Sequence, residues 1–241
     1  MEKLLTGRVA LVTGGGRGIG RAISKALAAA GAHVVVTART QGQIDAVAKE
    51  IVDAGGAAAA MAMDLADESS VRRVFAAVRE RFGRLDVLVN NAGIGLYGPV
   101  KDVPLEDLDR MVGVNLRGTF LCCQEAMRIM APQKSGYIIN ISSVVGFKGY
   151  PKQAGYTATK HAVMGLTKSL AVEAQEHGIR TSAILPGGVD TAMVREARPD
   201  LDPAILLQPE DVAQAVLYLL SLSERAAVDE IYIRRRTSQP F

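Results

Sequence analysis

The sequence predicts an α/β fold in which seven parallel strands form a doubly wound sheet with helices on both faces. Three features of the 241-residue chain support this prediction. Short apolar runs alternate with longer amphipathic runs, as expected for repeated strand–helix units. The short runs are apolar at nearly every position, which is typical of strands buried on both faces of a parallel sheet. The first of them, RVALV, leads through a glycine-rich turn into an alanine-rich helical pattern.

The predicted strands share β-branched or small apolar residues and end at polar or glycine-containing turns. They cover residues 8–13, 33–38, 57–63, 85–90, 136–142, 180–185 and 230–233. Right-handed crossovers would place the intervening helices on both faces, which gives a Rossmann-type arrangement. No linker or repeat interrupts the pattern, so we expect residues 1–241 to form one domain. Ligands of such sheets bind beyond the carboxyl ends of the strands.

Composition excludes several other classes of protein. The chain has no apolar run long enough to cross a membrane and no secretory leader, so we expect a cytoplasmic protein without a membrane partner. Cys122 and Cys123 are adjacent in an apolar helical stretch, which indicates buried thiols rather than a disulfide or a zinc site. The net charge is only +3, and its basic cluster at residues 234–236 is short. A nucleic-acid partner is therefore not expected.

The glycine-rich turn TGGGRGIG predicts a phosphate site. Gly14, Gly18 and Gly20 allow the backbone to turn tightly and to approach a pyrophosphate, and the free amide groups of the following helix favour an anion. The other residues of this turn that we expect to contact the cofactor are Gly16, Arg17 and Ile19. The turn lacks the Gly-Lys-Ser/Thr of nucleoside triphosphatases.

The end of the second predicted strand indicates which dinucleotide binds. NAD-binding folds place an acid there, about 20 residues after the glycine turn, to bond the ribose 2′-hydroxyl. This chain has Ala38 followed by Arg39, and no acid. Arg39 and Arg17 can instead hold a 2′-phosphate through charge-assisted hydrogen bonds. Each arginine alone is typical of a protein surface, but both together with the missing acid predict NADP(H).

Tyr156 and Lys160 in YTATK, with Ser143 upstream in NISSVVG, indicate an enzyme. Positions i and i+4 share a helix face, so the Lys160 ammonium is expected to lie beside the Tyr156 phenol and to lower its pKa. A tyrosine tuned in this way can act as an acid or a base. Ser143 would hold the substrate oxygen, and Ser142 is the other candidate serine.

The ordered set TGGGRGIG, NNAG, Asn115, Ser143, YTATK and PGGVDT resembles the short-chain dehydrogenase/reductase family, in its main cytoplasmic branch. The resemblance runs from about Gly7 to Thr191. Within the family, the chain is most similar to 3-oxoacyl-acyl-carrier-protein reductases and to related NADP-dependent 3-hydroxyacyl and 3-hydroxy acid dehydrogenases.

The resemblance implies hydride transfer between a nicotinamide and a carbonyl carbon, with Tyr156 as the proton donor. Ser143 then orients the oxygen, Lys160 also binds the nicotinamide ribose, and Asn115 completes a proton relay through water. Further cofactor contacts are implied on both sides of the cleft. They are Asp64 and Leu65 near the adenine, Asn91, Ala92 and Gly93 in NNAG, and Pro186, Gly187, Val189 and Thr191 around the nicotinamide.

Substrate choice stays open at this point. It is expected to depend on residues 145–155 and on a lid at about residues 192–207, whose Arg195 and Arg198 either meet a phosphopantetheine arm or an acyl carrier, or are solvated. The C-terminal VDEIYIRRRTSQPF lacks the glycine-rich tail of acyl-carrier reductases, which favours a general carbonyl reductase or a 3-hydroxy acid dehydrogenase as the alternative.

Two functions of other classes are weaker alternatives, namely a non-catalytic NADP-binding sensor and a nucleotide-sugar or methyl-transfer enzyme. The intact set of Asn115, Ser143, Tyr156 and Lys160 argues against the first, and the lack of a substrate domain after Thr191 argues against the second.

By resemblance, helices starting near Glu106 and Gly155 pair between subunits in a homo-dimer or homo-tetramer. No metal is expected, because the three histidines are dispersed.

Overall fold

The computed structural model describes residues 3–197 and 200–240. Seven parallel strands form one sheet in the order β3-β2-β1-β4-β5-β6-β7. The strands are β1 Val9–Thr13, β2 His33–Ala38, β3 Ala57–Ala62, β4 Val87–Asn90, β5 Gly136–Ile141, β6 Ile179–Pro186 and β7 Glu230–Ile233. The prediction of a doubly wound, seven-stranded parallel sheet is confirmed. Chain order reverses between β1 and β4, where ligands of such sheets bind at the carboxyl ends of the strands.

Helices cover both faces of the sheet, as predicted. They are α1 Gly18–Ala29, α2 Gln41–Asp53, α3 Glu68–Phe82, α4 Leu105–Met111, α5 Thr119–Gln133, α6 Ala154–Gln175, α7 Ala192–Ala197 and α8 Pro209–Ser221, with short 3₁₀ turns at Val144–Gly146 and Pro203–Ile205. One core layer packs α1, α2 and α8 against the sheet. The other packs α3, α5 and α6 against its opposite face.

The two core layers explain why the strands are apolar at successive positions. Along β1, Ala10 and Val12 belong to the first layer, whereas Val9 and Leu11 belong to the second. Successive side chains of a strand point to opposite faces, so burial of both faces requires an apolar residue at each position.

The helix that carries Asn115 is not regular. A π-helical segment, Val112–Gly118, joins α4 to α5 and contains Asn115. Sequence periodicity predicts only a continuous helix here. A π turn widens the hydrogen-bonding ring by one residue and occurs frequently at functional sites.

Cys122 and Cys123 are free and buried, as predicted. Burial raises the pKa of both thiols, that of Cys123 to about 12, so neither is a thiolate at neutral pH. Within the described part of the chain, no helix is long and apolar enough to cross a membrane.

Candidate active site

The glycine turn after β1 packs so closely on its neighbours that side chains are excluded. Gly14 and Gly18 have φ angles of +64° and +51°, in the left-handed region that glycine tolerates best. A Cβ added to Gly20 would lie 2.2 Å from the Gly14 carbonyl oxygen. Helix α1 starts at Gly18 with no side-chain cap and no acid in its first turn, so its first amide groups stay free for an anion. The cradle fits a pyrophosphate.

The NNAG segment after β4 is bonded directly to the glycine turn. The Asn91 side chain donates to the Thr13 carbonyl at 2.9 Å, and the Thr13 hydroxyl accepts from the amide groups of Asn91 and Ala92, each at 3.0 Å. A Cβ on Gly14 would lie 2.9 Å from the Ala92 Cα atom. These contacts hold the two turns at the reversal point of the sheet as one unit.

The side chains at the adenosine end of the cleft are largely free. Arg17 and Arg39 are exposed, and neither has an ion-pair partner among residues 3–197 and 200–240. The Asp64 carboxylate accepts a hydrogen bond from the Ala66 amide, while Leu65 is buried. The N-cap of α3 is Asp67, whose side chain accepts a hydrogen bond from the Ser69 amide.

Asn115 clamps the loop after β4 to α6. It is buried, its side-chain oxygen accepts from the Ile94 amide at 2.8 Å, and its side-chain nitrogen donates to the Ile94 carbonyl and to the Thr159 hydroxyl. A Cβ on Gly93 would lie 3.3 Å from the Asn115 Oδ1 atom and 3.6 Å from the Lys160 Nζ atom. Both polar groups therefore converge on the same point beside the cleft.

Tyr156 and Lys160 lie on α6, in the predicted order. Lys160 is 4% exposed, its ammonium donates to the Ile141 carbonyl at 3.0 Å, and its Nζ atom is 5.8 Å from the Tyr156 ring centroid. Burial lowers the pKa of Lys160 to about 8.

The expectation that Lys160 lowers the pKa of Tyr156 is wrong for this arrangement. Burial raises that pKa, the neighbouring Tyr97 phenol raises it further, and only the Ser143 hydroxyl acts in the opposite direction. The Lys160 ammonium donates its hydrogen bond to a backbone carbonyl of β5 and not to the phenol. Desolvation of the Tyr156 phenol therefore raises its pKa by more than the Ser143 hydroxyl lowers it. Tyr156 is therefore a protonated phenol at neutral pH, in the form that donates a proton.

The two adjacent serines have different surroundings. Ser142 is buried at the end of β5 and donates to the Lys160 carbonyl at 3.2 Å, which anchors α6. Ser143 is half-buried and accepts a hydrogen bond from the Val145 amide. Its hydroxyl also lies close enough to the Tyr156 phenol to lower the pKa of that phenol. The structure thus places Ser143, and not Ser142, beside Tyr156.

The PGGVDT turn after β6 reaches back to the glycine turn. The Gly187 amide donates to the Ile233 carbonyl at 2.7 Å, and Val189 pairs with Leu207 in a short parallel bridge. A Cβ added to Gly18 would lie 3.3 Å from the Thr191 methyl carbon. The segments predicted to meet the pyrophosphate and the nicotinamide therefore lie side by side at this end of the sheet.

The lid arginines are not equivalent. Arg195 forms a two-pronged ion pair with Asp190 at 2.7 and 2.9 Å, which ties α7 to the PGGVDT turn. Arg198, the other predicted arginine, lies outside the described residues.

In the C-terminal cluster, Arg234 donates to three backbone carbonyls of the tail, those of Arg235, Arg236 and Ser238, so it organises the tail locally.

Sequence reasoning missed Tyr97, which lies in the loop after β4. Its ring meets the Tyr156 ring edge to face, with 5.7 Å between the centroids and 74° between the planes. The only signal in the sequence is an aromatic residue inside the glycine-rich stretch GIGLYG. That pattern identifies a loop, but it does not predict which way the ring points.

A family model described as short chain dehydrogenase matches residues 8–202. The chain belongs to the short chain dehydrogenase family. A 3-oxoacyl-[acyl-carrier-protein] reductase of Synechocystis sp. is 42% identical over 221 residues, covering 89% of this chain and 90% of the relative. A 3beta-hydroxysteroid dehydrogenase of Mediterraneibacter gnavus is 40% identical over 195 residues, covering 80% and 70%.

A solved structure agrees with these sequence matches. A metagenomic short-chain oxidoreductase in complex with NADP superposes with a TM-score of 0.87 at 35% identity, over 98% of this chain and 100% of the other. The prediction that the chain is an oxidoreductase of the short chain dehydrogenase family is thus confirmed, together with its fold.

Proposed function

We propose that this short chain dehydrogenase is an NADP(H)-dependent reductase of carbonyl compounds and that its best substrates are 3-oxoacyl thioesters. The observation that carries the proposal is the convergence of Ser143, Tyr156, Lys160 and Asn115 beside one cleft at the reversal point of the sheet. The Synechocystis relative, named a 3-oxoacyl-[acyl-carrier-protein] reductase, supports the substrate class.

NADP(H) fits the residues that border the cleft. The glycine cradle and the α1 N-terminus would hold the pyrophosphate. The Arg17 and Arg39 guanidinium groups, which have no ion-pair partner in the described part of the chain, would hold the 2′-phosphate. Ala38 occupies the position of the acid that selects NAD. The NADP complex of the metagenomic relative supports this choice. We assign the adenine side to Asp64 and Leu65 and the nicotinamide side to Pro186, Gly187, Val189 and Thr191.

When bound, the nicotinamide supplies the hydride that reduces the carbonyl carbon. Tyr156 donates its phenolic proton to the carbonyl oxygen as negative charge develops there, and Ser143 holds that oxygen in place. The proton that Tyr156 loses is replaced through Lys160, whose lowered pKa of about 8 permits proton exchange near neutral pH. Asn115 lies next to the Lys160 ammonium and would join it to water.

The function is tested by following NADPH oxidation with acetoacetyl thioester, a 3-oxo ester, simple aldehydes and simple ketones, and by following NADP reduction with 3-hydroxy acids. Tyr156→Phe removes the proton donor and should abolish turnover, while Tyr218→Phe on the exposed face of α8 should not. NADPH binding without turnover of any compound by the wild type would overturn the proposal and favour a non-catalytic sensor.

A general carbonyl reductase is the second candidate, because the tail after β7 has its own arrangement. Arg234 folds onto the tail carbonyls, and the sequence there lacks glycine. The Mediterraneibacter gnavus relative is named for a steroid rather than a thioester. Preferred turnover of simple ketones over the thioester in the same assay would favour this candidate.

We also propose a cytoplasmic homo-dimer or homo-tetramer, formed by α4 and α6 with their symmetry mates. Exposed apolar side chains on or beside these helices, Leu105, Val112 and Val172, support such contacts. Two free thiols suit a reducing compartment. Sedimentation equilibrium of the purified protein tests the oligomeric state.

A further inference from the structure

Tyr97 is a second phenol at the reaction site. Its ring meets the Tyr156 ring in an edge-to-face contact, with 5.7 Å between the centroids. Burial raises the pKa of Tyr97 to about 12, and the Glu196 carboxylate of α7 raises it as well. Tyr97 is therefore neutral at physiological pH and lies between the proposed proton donor and the first helix of the lid.

The loop that holds Tyr97 is anchored on both sides. The Leu96 amide donates to the Met111 sulfur at 3.4 Å, and the Gly98 amide donates to the Lys152 carbonyl at 2.9 Å. These bonds tie the loop to α4 and to the segment between Ser143 and Tyr156. The ring of Tyr97 is thus positioned by the backbone on either side of it.

Gly95 makes room for the phenol. A Cβ added to Gly95 would lie 2.1 Å from the Tyr97 hydroxyl oxygen and 2.5 Å from the ring carbon that bears it. Real Cβ atoms do not approach other atoms so closely. The position of the Tyr97 hydroxyl therefore depends on a glycine at position 95.

The Tyr97 hydroxyl is left free by the residues that the structure describes. Across residues 3–197 and 200–240 it makes no hydrogen bond, and it is not fully shielded from solvent, since the Tyr97 side chain is only half-buried. A phenolic hydroxyl in this position can donate to water or to a bound ligand. A polar group of this kind, in contact with the proposed proton donor, is available to a substrate.

We propose that Tyr97 is a substrate-contacting residue that donates a hydrogen bond to a second oxygen of the substrate, next to the carbonyl that Tyr156 protonates. The inference rests on the proposed function, since it assumes that Tyr156 binds the reacting oxygen. It assigns 3-oxo esters and 3-oxo thioesters as the favoured class, because these carry a second carbonyl oxygen two carbons from the first. Simple ketones offer the Tyr97 hydroxyl no acceptor.

The test compares kcat/KM with NADPH for ethyl acetoacetate and for 2-hexanone, a simple ketone of similar length. Wild type should prefer the ester, and Tyr97→Phe should lose about 10-fold with the ester and less than about 2-fold with the ketone, as expected for one hydrogen bond. Gly95→Ala displaces the hydroxyl without removing it, so it should lower the preference for the ester in the same way. Tyr218→Phe is the matched control and should leave both values unchanged.

The outcomes separate this inference from the proposed function. If Tyr156→Phe is inactive while Tyr97→Phe retains the wild-type preference, or if wild type reduces both compounds equally well, the role of Tyr97 is overturned and the reductase stands. If wild type reduces neither compound, the inference is overturned, and the proposed function is overturned as well only if the acetoacetyl thioester also fails to react. An equal loss with both substrates in Tyr97→Phe, at unchanged NADPH affinity, would assign Tyr97 a packing role instead and would also overturn the inference.

Discussion

Replacement of Arg39 should weaken the binding of NADPH while leaving the binding of NADH nearly unchanged. Arg39 follows β2 at the position where its charge can reach a 2′-phosphate, and it is exposed without an ion-pair partner in the described part of the chain. Removing the side chain therefore breaks no ion pair or side-chain hydrogen bond among the described residues. The loss in affinity reports on the cofactor alone.

The magnitude follows from this exposure. Two unit charges 4 Å apart interact by about 1 kcal/mol in water and by about 4 kcal/mol near a protein surface. The exposed guanidinium belongs near the lower value, so we expect Arg39→Ala to cost about 1–2 kcal/mol, or roughly 5- to 30-fold in the dissociation constant of NADPH. Arg39→Asp also introduces repulsion, and its cost should be about twice as large.

Titration of nicotinamide fluorescence with NADPH and with NADH measures both affinities. Arg79→Ala, which removes one exposed charge near the end of α3, is the control and should affect neither. Raising the salt concentration to about 1 M should shrink the difference between wild type and Arg39→Ala, because the Debye length falls to about 3 Å. An equal loss for NADPH and NADH, or no loss for either, would refute the assignment of Arg39 to the 2′-phosphate.

Three further predictions concern the cradle, the pH dependence and the stability of the fold. Gly20→Ala places a methyl group 2.2 Å from the Gly14 carbonyl oxygen, so it should abolish NADPH binding in the same titration. Gly42→Ala is the control and should bind normally, because position 42 has open space around it. NADPH binding by Gly20→Ala would contradict the tight packing of the turn. The kcat for carbonyl reduction should decline as the pH rises through about 8, where the buried Lys160 loses its proton. The kcat of Lys160→Met, measured over the same pH range, should lack that decline. If the variant shows the same pH profile as wild type, Lys160 is not in the proton path. Asp86→Asn should lower the free energy of unfolding at neutral pH by about 2–4 kcal/mol, because the carboxylate accepts from Arg84, from the Val9 amide and from Arg8. Burial opposes ionisation of Asp86, but these hydrogen bonds outweigh it and lower its pKa, so the stabilisation is present above the pKa of the unfolded chain and is lost as the pH falls through the folded value. Urea unfolding of Asp86→Asn, of the exposed control Asp53→Asn and of wild type at several pH values measures this effect, and a constant gap down to strongly acidic pH would refute it.

Much of the fold follows from local sequence patterns. The boundaries of all seven strands lie within two residues of the predicted ones, and two strands, His33–Ala38 and Glu230–Ile233, match at both ends. Fully apolar short runs leave little choice, because only a strand buried on both faces needs an apolar residue at each position. The π segment around Asn115 could not be predicted in this way, since its composition is compatible with an ordinary helix.

The sequence predicts which residues form the proposed site, but it does not predict their electrostatic arrangement. The motifs place Ser143, Tyr156 and Lys160 in the same cleft, as the structure does. The direction of the Tyr156 pKa shift was predicted wrongly, because helical spacing gives the separation of two residues and not the burial around them. Desolvation depends on how many other elements cover a side chain, and that quantity is absent from any local pattern.

The sequence by itself therefore determined the succession of strands and helices along the chain, the glycine cradle and the residue types available for chemistry. Each of these features is encoded within a few neighbouring positions. The tertiary structure decided which of these groups are free. It bonds the Lys160 ammonium to the Ile141 carbonyl and pairs Arg195 with Asp190. It also brings the Tyr97 phenol, which has no hydrogen bond within the described residues, against Tyr156. Tyr97 and Tyr156 are 59 positions apart in the chain, and only packing around the sheet sets the distance between them.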